Sequence, residues 1–244
     1  MIILLPPSEG KADGGPPRTS WNPASGLLGK GLGPMRADVA RALAAEKGGD
    51  QKLLGVKGDV LEQARAENRA LVGSPTLPAW QRYTGVVWDH LDLASMTAGA
   101  RKSALAALFV PSAVMGLVRA NDPVPEYKLK MGASIAPVGK VSRFWKDALT
   151  AEVRKLSAKH VIVDLLPQEH AAAIDFTEIP NVIHVDLVSK KGGVVGGHNA
   201  KAAKGLLARH ILDSVDIRSA DAQAVRKAVS SFRHAEFGAR ARRA

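Results

Sequence analysis

Two short stretches constrain this chain more than anything else in it: His160 to Leu166 (HVIVDLL) and Val182 to Val188 (VIHVDLV). Neither alternates apolar with polar residues, as a strand with one wet face would. Both are apolar nearly throughout, the mark of strands buried on both faces of a sheet that helices cover. Met1 to Leu5, stopped by Pro6-Pro7, reads as a third such strand. Helical spacing runs through 35–47, through the stretch from the Gly55–Gly58 turn to about Val72, and through 100–110, 144–156, 201–212 and 220–232. Residues 10–34, rich in Gly and Pro, read as a long loop, and Tyr127–Lys130 as a short strand. Strands and helices do not alternate regularly. The sequence therefore predicts a mixed α/β fold with an irregular mixed sheet wrapped by helices, rather than a standard doubly wound one.

At 244 residues and 46% hydrophobic content, the chain can build a real core. It has no cysteine, which excludes disulfides, thiolate metal sites and any peroxidatic thiol. No apolar run approaches membrane-spanning length, and Met1–Pro7 lacks the features of a signal peptide. A soluble, cytoplasmic protein is expected. Its net charge of +11 is unevenly placed: +3 over 1–118, +5 over 119–160, −5 over 161–188 and +8 over 189–244. Such a basic surface attracts polyanions. Arg240, Arg242 and Arg243, among alanines and after Gly238, read as a flexible basic tail over 234–244.

Few enzyme signatures are present. There is no P-loop, G-x-S-x-G elbow or H-E-x-x-H. Gly192–Gly197 reads as a hairpin or mobile loop rather than a dinucleotide turn, and His184 with Asp186 as core polar residues rather than metal ligands. Lys52 to Leu61 has the shape of a helix-hairpin-helix. Gly55 and Gly58 would expose backbone N–H groups to a phosphate, with Lys52 and Lys57 adding charge; the other reading is an ordinary helical hairpin. Pro6-Pro7-Ser8-Glu9-Gly10-Lys11 places a hydroxyl, a carboxylate and an ammonium just past a strand end, where α/β sheets bind ligands.

The PPSEGK run also resembles the N-terminal signature of the YaaA family of peroxide-stress proteins. Other matches follow in the family's order. They are Tyr83-Thr84-Gly85-Val86-Val87-Trp88, Gly116–Arg119 with Asp122 and Pro125, Tyr127–Gly132, Arg143-Phe144-Trp145, Asp164–Glu169, and Lys201 with Lys204-Gly205 and Arg209. Three positions depart from the pattern: Met115 replaces a Tyr, Lys130 a Glu and Lys204 an Arg. The resemblance implies a single YaaA-like domain over 1–244, with a helix-hairpin-helix subregion at about 35–73 and a basic cleft. It also implies double-stranded DNA binding and a role in limiting peroxide damage, linked to lower free iron.

Two functional readings follow. In the first, duplex DNA is held with little sequence specificity by Lys52, Gly55, Lys57, Gly58, Arg119, Lys128, Lys130, Lys201, Lys204 and Arg209. In the second, an enzyme acts on a nucleotide or other phosphate-bearing small molecule. Its catalytic candidates are Ser8, Glu9, Lys11, Tyr127 and Glu169, with Arg119 and Lys204 completing the pocket. A metal-binding reading finds poor support in scattered histidines, and neither a metal site nor a cofactor is expected. An enclosed pocket favours the enzyme and an open basic groove favours DNA.

Overall fold

The computed structural model describes residues 1–192 and 195–243. The expected mixed α/β architecture is found. Six strands form the main sheet: β1 (Ile2–Leu4), β2 (Leu108–Ser112), β3 (Gly116–Arg119), β4 (Ile162–Asp164), β5 (Val182–Ser189) and β6 (Phe237–Arg243). Their order is β6-β5-β4-β1-β2-β3. The four central strands are parallel, in the registers Ile2↔Ile162, Ile3↔Leu108 and Ile162↔Val182. Both edges are antiparallel. The continuous apolar runs occupy the centre, where Ile3, Leu4, Phe109, Val110, Ile162, Val163 and Ile183 are buried. Full burial of one such side chain contributes about 1.5–3 kcal/mol.

The covering helices are α1 (Gly29–Ala45), α2 (Gln51–Leu54), α3 (Asp59–Arg69), α4 (Val86–Leu91), α5 (Ala98–Ala107), α6 (Val141–Ser157), α7 (Gly197–Ser214) and α8 (Ala222–Ser231). No described helix is long and apolar enough to cross a membrane. Helix α6 buries Trp145, Leu149 and Val153, and Trp145 Nε1 donates to Ala113 O at 2.8 Å. Helix α7 lies directly on α4. A Cβ on Gly205 would overlap the carbonyl of Val87, so the two backbones meet where only glycine fits.

Four expectations are corrected. Helix α5 ends at Ala107, and Leu108–Val110, read as the end of that helix, belongs to the central strand β2. Helix α1 starts at Gly29, inside the stretch read as loop, and runs through Pro34. Pro34 forfeits one hydrogen bond near the helix start, while Gly29 lacks the Cβ that would overlap Ala24. Packing overrides propensity there. Tyr127–Lys130 belongs to no strand. Its partner is a side chain: Lys128 N donates to Asn68 Oδ1 at 2.9 Å and Asn68 Nδ2 donates to Lys128 O at 2.8 Å. The basic tail is not frayed, because Phe237–Arg243 pairs with β5 from Ser189↔Phe237 to Ile183↔Arg243. Phe237, Ala239 and Ala241 pack on the core side while Arg242 pairs with Asp186. The period-2 pattern is present, but alanines carry it weakly. Within Gly192–Gly197, Gly193 and Val194 lie outside the described residues; Gly196 and Gly197 open α7.

Two buried arginines hold the Gly/Pro-rich loop. Arg36, 1% exposed, donates to Met115 O (2.8 Å), Leu117 O (3.1 Å), Ser25 O (2.6 Å) and Pro23 O (3.2 Å). Arg82 donates to Val124 O (3.0 Å), Gly14 O (2.5 Å) and Ala12 O, with Glu126 3.4 Å away. Each carbonyl left unsatisfied in a buried site costs about 1–3 kcal/mol. Arg36→Met should therefore lower the unfolding free energy by more than about 3 kcal/mol in urea titration. Gly205→Val should cost about 1–3 kcal/mol by overpacking, or more if α7 is forced off α4.

Candidate functional site

Because the four central strands are parallel, their carboxyl ends share one edge. The PPSEGK loop leaves β1 there, Leu165–His170 leaves β4, and Asp186 and Leu187 belong to β5. Together with Thr84–Trp88 and the α7 residues Ala200, Lys201 and Lys204, they line a half-open cavity of about 770 Å³. Trp88 Nε1 donates to Pro6 O at 3.1 Å and anchors the loop. Ser8 Oγ donates to Thr84 O. Gly85 has φ 142°, and a Cβ there would overlap Ser8 Oγ, so this wall needs glycine twice over.

A narrower chamber of about 50 Å³ shares Ser8, Glu9, Glu169 and His170 with the cavity and adds Lys11 and Tyr127. Lys11 Nζ lies 4.0 Å from the centre of the Tyr127 ring and donates to Ser8 O at 3.2 Å. Burial, and then the positive charge of Lys128, lowers its pKa to about 7; Glu67 and Glu9 oppose the shift and Arg82 adds to it. Tyr127 is buried, accepts from Ser112 Oγ at 3.0 Å and touches Tyr83 Oη at 3.1 Å. Burial raises its phenol above the ordinary value, so it stays protonated. His170 Nδ1 has no hydrogen-bond partner among the described residues, and burial lowers its pKa against the pull of Glu169.

The rim is basic. Glu9 Oε1 is 3.3 Å from Lys130 Nζ and Oε2 is 3.7 Å from Lys128 Nζ. Burial raises the Glu9 carboxyl, but Lys130, Lys128 and Lys201 outweigh it and hold the pKa below the ordinary value. Lys130 also faces the α2–α3 turn: its Nζ would lie 3.6 Å from a Cβ on Gly55. Both turn glycines have positive φ, 69° at Gly55 and 61° at Gly58, and Lys57 is exposed between them. Glu169 accepts from Gly132 N at 2.9 Å. Lys204 Nζ donates to Leu165 O at 2.6 Å, and burial lowers its pKa despite Asp164 and Asp186.

The structure thus brings together Ser8, Glu9, Lys11, Tyr127, Glu169, Lys128, Lys130, Lys201 and Lys204, with Gly55, Lys57 and Gly58 beside them. Lys52 borders a separate groove with Asp50 and Ala133–Ala136. Arg119 ends the antiparallel strand β3 opposite Phe109, at the other edge of the sheet, where its Nε donates to Asn121 Oδ1 at 2.7 Å. Arg209 ties α7 to Asp92 O (2.8 Å) and Ser95 Oγ (2.9 Å), and within the helix it meets Asp213 Oδ2 at 2.7 Å. His184 Nδ1 meets Asp164 Oδ2 at 2.7 Å, and Asp186 meets Arg242. Sequence reading missed His170 and Thr84–Trp88 as walls. His170 follows Glu169 on the same strand-end loop, the one signal that could have found it.

The family model described as "Peroxide stress protein YaaA" matches residues 1–232. A "UPF0246 protein" of Streptomyces coelicolor is 31% identical over 227 residues, covering 87% of this chain and 83% of that protein. One from Corynebacterium glutamicum is 37% identical over 137 residues, covering 55% of this chain and 53% of the relative. A Campylobacter jejuni protein is 28% identical over 214 residues, 85% of this chain and 82% of that protein.

The Lys11 shift sets a stability test. With a folded pKa near 7 against an ordinary 10.5, the cost of a charged buried amine is present in full below pH 7 and lifts as pH rises toward 10.5. Lys11→Met should gain most over the parent protein at pH 6 and progressively less by pH 9, in urea unfolding at each pH. A difference independent of pH would show that the amine titrates normally.

Proposed function

We propose that this chain, which belongs to the YaaA peroxide-stress family, binds the phosphates of duplex DNA with little sequence preference. The carrying observation is the grouping of Lys128, Lys130 and Lys201 around Glu9 at the cavity mouth, beside the Gly55–Gly58 turn. A left-handed turn entering a helix directs backbone N–H groups outward, and such contacts hold a phosphate without reading bases. In this reading the α2–α3 pair acts as the helix-hairpin-helix and the lysine rim as the basic cleft. Lys130 stands where the family carries a Glu, which adds to the rim's charge.

DNA affinity should fall steeply with salt, log K dropping by about 0.9 for each phosphate contact. Lys57→Gln and Lys130→Gln should each weaken binding across unrelated sequences and reduce the salt slope by about 1. Affinity indifferent to salt overturns the reading.

A second reading rests on the cavity itself. About 770 Å³ lined by Ser8, Glu9, Glu169 and Lys204 suits a nucleotide or another phosphate-bearing small molecule. Saturable thermal stabilisation by free nucleotides, following RT ln(1 + [L]/Kd), supports it. No shift at millimolar nucleotide removes it.

A further inference from the structure

Lys11 has a setting that phosphate binding does not use. Among the described residues no carboxylate oxygen lies within ion-pair distance of its amine. Among the described residues its one hydrogen bond is to Ser8 O, and the Tyr127 ring face lies 4.0 Å and the Tyr83 ring 6.0 Å from its amine, with Lys128 and Lys130 lining the same chamber. The 50 Å³ chamber around it admits the end of a small molecule, while the adjoining cavity and lysine rim suit a phosphate. An amine held this way is short of stabilisation for its charge, and near neutrality a substantial fraction is the free base. His170, with an unpartnered Nδ1 in the same wall, can accept a proton.

We propose that Lys11 is an imine-forming lysine whose substrate class is the aldehyde of an open-chain pentose phosphate ester, entering from the cleft. This deepens the phosphate-binding reading and rests on it. Lys11 Nζ attacks the aldehyde carbon, and the carbonyl oxygen gains a proton. The carbinolamine then loses water to give a protonated imine. The imine acidifies the proton on the next carbon, which His170 takes. Where the third carbon carries a phosphate ester, the electron pair expels that ester. Water then hydrolyses the unsaturated imine, releasing an unsaturated aldehyde and the free amine. No oxidant or reductant is needed.

The aldehyde has two sources, an abasic site in duplex DNA or a free sugar phosphate, and one experiment separates them. The full-length protein is incubated with a duplex carrying one abasic site, or with 2-deoxyribose 5-phosphate, and sodium borohydride is added. Peptide mass spectrometry then locates the reduced adduct without needing any variant. An adduct on Lys11 with the abasic duplex, accompanied by strand scission, is the expected result. Lys11→Met should reduce it at least about 100-fold, and His170→Gln should slow scission at least about tenfold while leaving trapping in place. An adduct on Lys11 with the free sugar phosphate alone upholds the lysine's role and overturns DNA as its source. No adduct with either probe, in a protein that still binds DNA in a salt-dependent way, overturns the imine and leaves DNA binding standing. An adduct on another lysine also overturns it, as scission unchanged in His170→Gln does for the histidine.

Discussion

The molecule depends on the parallel pairing of its four central strands. Parallel strands cannot be joined by a tight turn, so each sends the chain back outside the sheet before the next begins. All four carboxyl ends therefore open on one edge. Every chemically suggestive group on that edge is there for this reason. Ser8, Glu9 and Lys11 follow β1, Ser112 ends β2, Asp164, Glu169 and His170 end or follow β4, and Asp186 sits in β5. The strands are far apart in sequence, and only their register brings Ser112 under Tyr127 and Tyr127 under Lys11. Arg119, on an antiparallel strand, ends at the opposite edge by the same logic.

Loops that carry a site must also be rigid, and here rigidity comes from buried polar side chains acting on backbone. Arg36 and Arg82 together satisfy carbonyls of the N-terminal loop, the β2–β3 hairpin and the 123–126 segment. Asn68 does the same for Lys128, replacing a strand partner that the chain does not supply. That one amide couples α3 to the segment bearing Lys128 and Lys130.

Three of the four central strands were legible because continuous apolar runs have one physical explanation, and the PPSEGK loop because hydroxyl, carboxylate and ammonium sit just beyond such a run; β2 was not, because Leu108–Val110 continues the helical spacing of α5 without a break. What escaped was set by contacts distant in sequence. Helix α1 through Pro34 reads as loop because the close approach of Gly29 to Ala24 is invisible in the chain. Strand β6 reads as a tail because its inward face is alanine, and only the Arg242–Asp186 pair and buried Phe237 reveal the pattern. Arg119 and Arg209 read as phosphate ligands from charge and from their match to the family's motifs. Sequence gives a residue's charge but not which backbone carbonyls compete for it, and Arg209 is engaged by Asp92, Ser95 and Asp213.

The electrostatics of the edge separate two kinds of lysine. The Glu9 side chain is 70% exposed where it meets Lys128 and Lys130, and ion pairs of that kind contribute only about 0–1 kcal/mol. They are too weak to explain as stability, and in the proposed reading a phosphate would exchange one anion for another at little cost. Lys11 is the opposite case. Its environment removes water without supplying a carboxylate, so charging it there is unfavourable, and the neighbouring Lys128 makes it more so. A bound phosphate on Lys128 and Lys130 would neutralise part of that repulsion and draw the Lys11 pKa upward. Anchoring the phosphate and keeping Lys11 unprotonated thus oppose each other, and the opposition weakens as the phosphate sits further out on the rim. Lys128 and Lys130 line the same small chamber as Lys11, with Lys130 also against the Gly55 turn, so the two demands meet in one space.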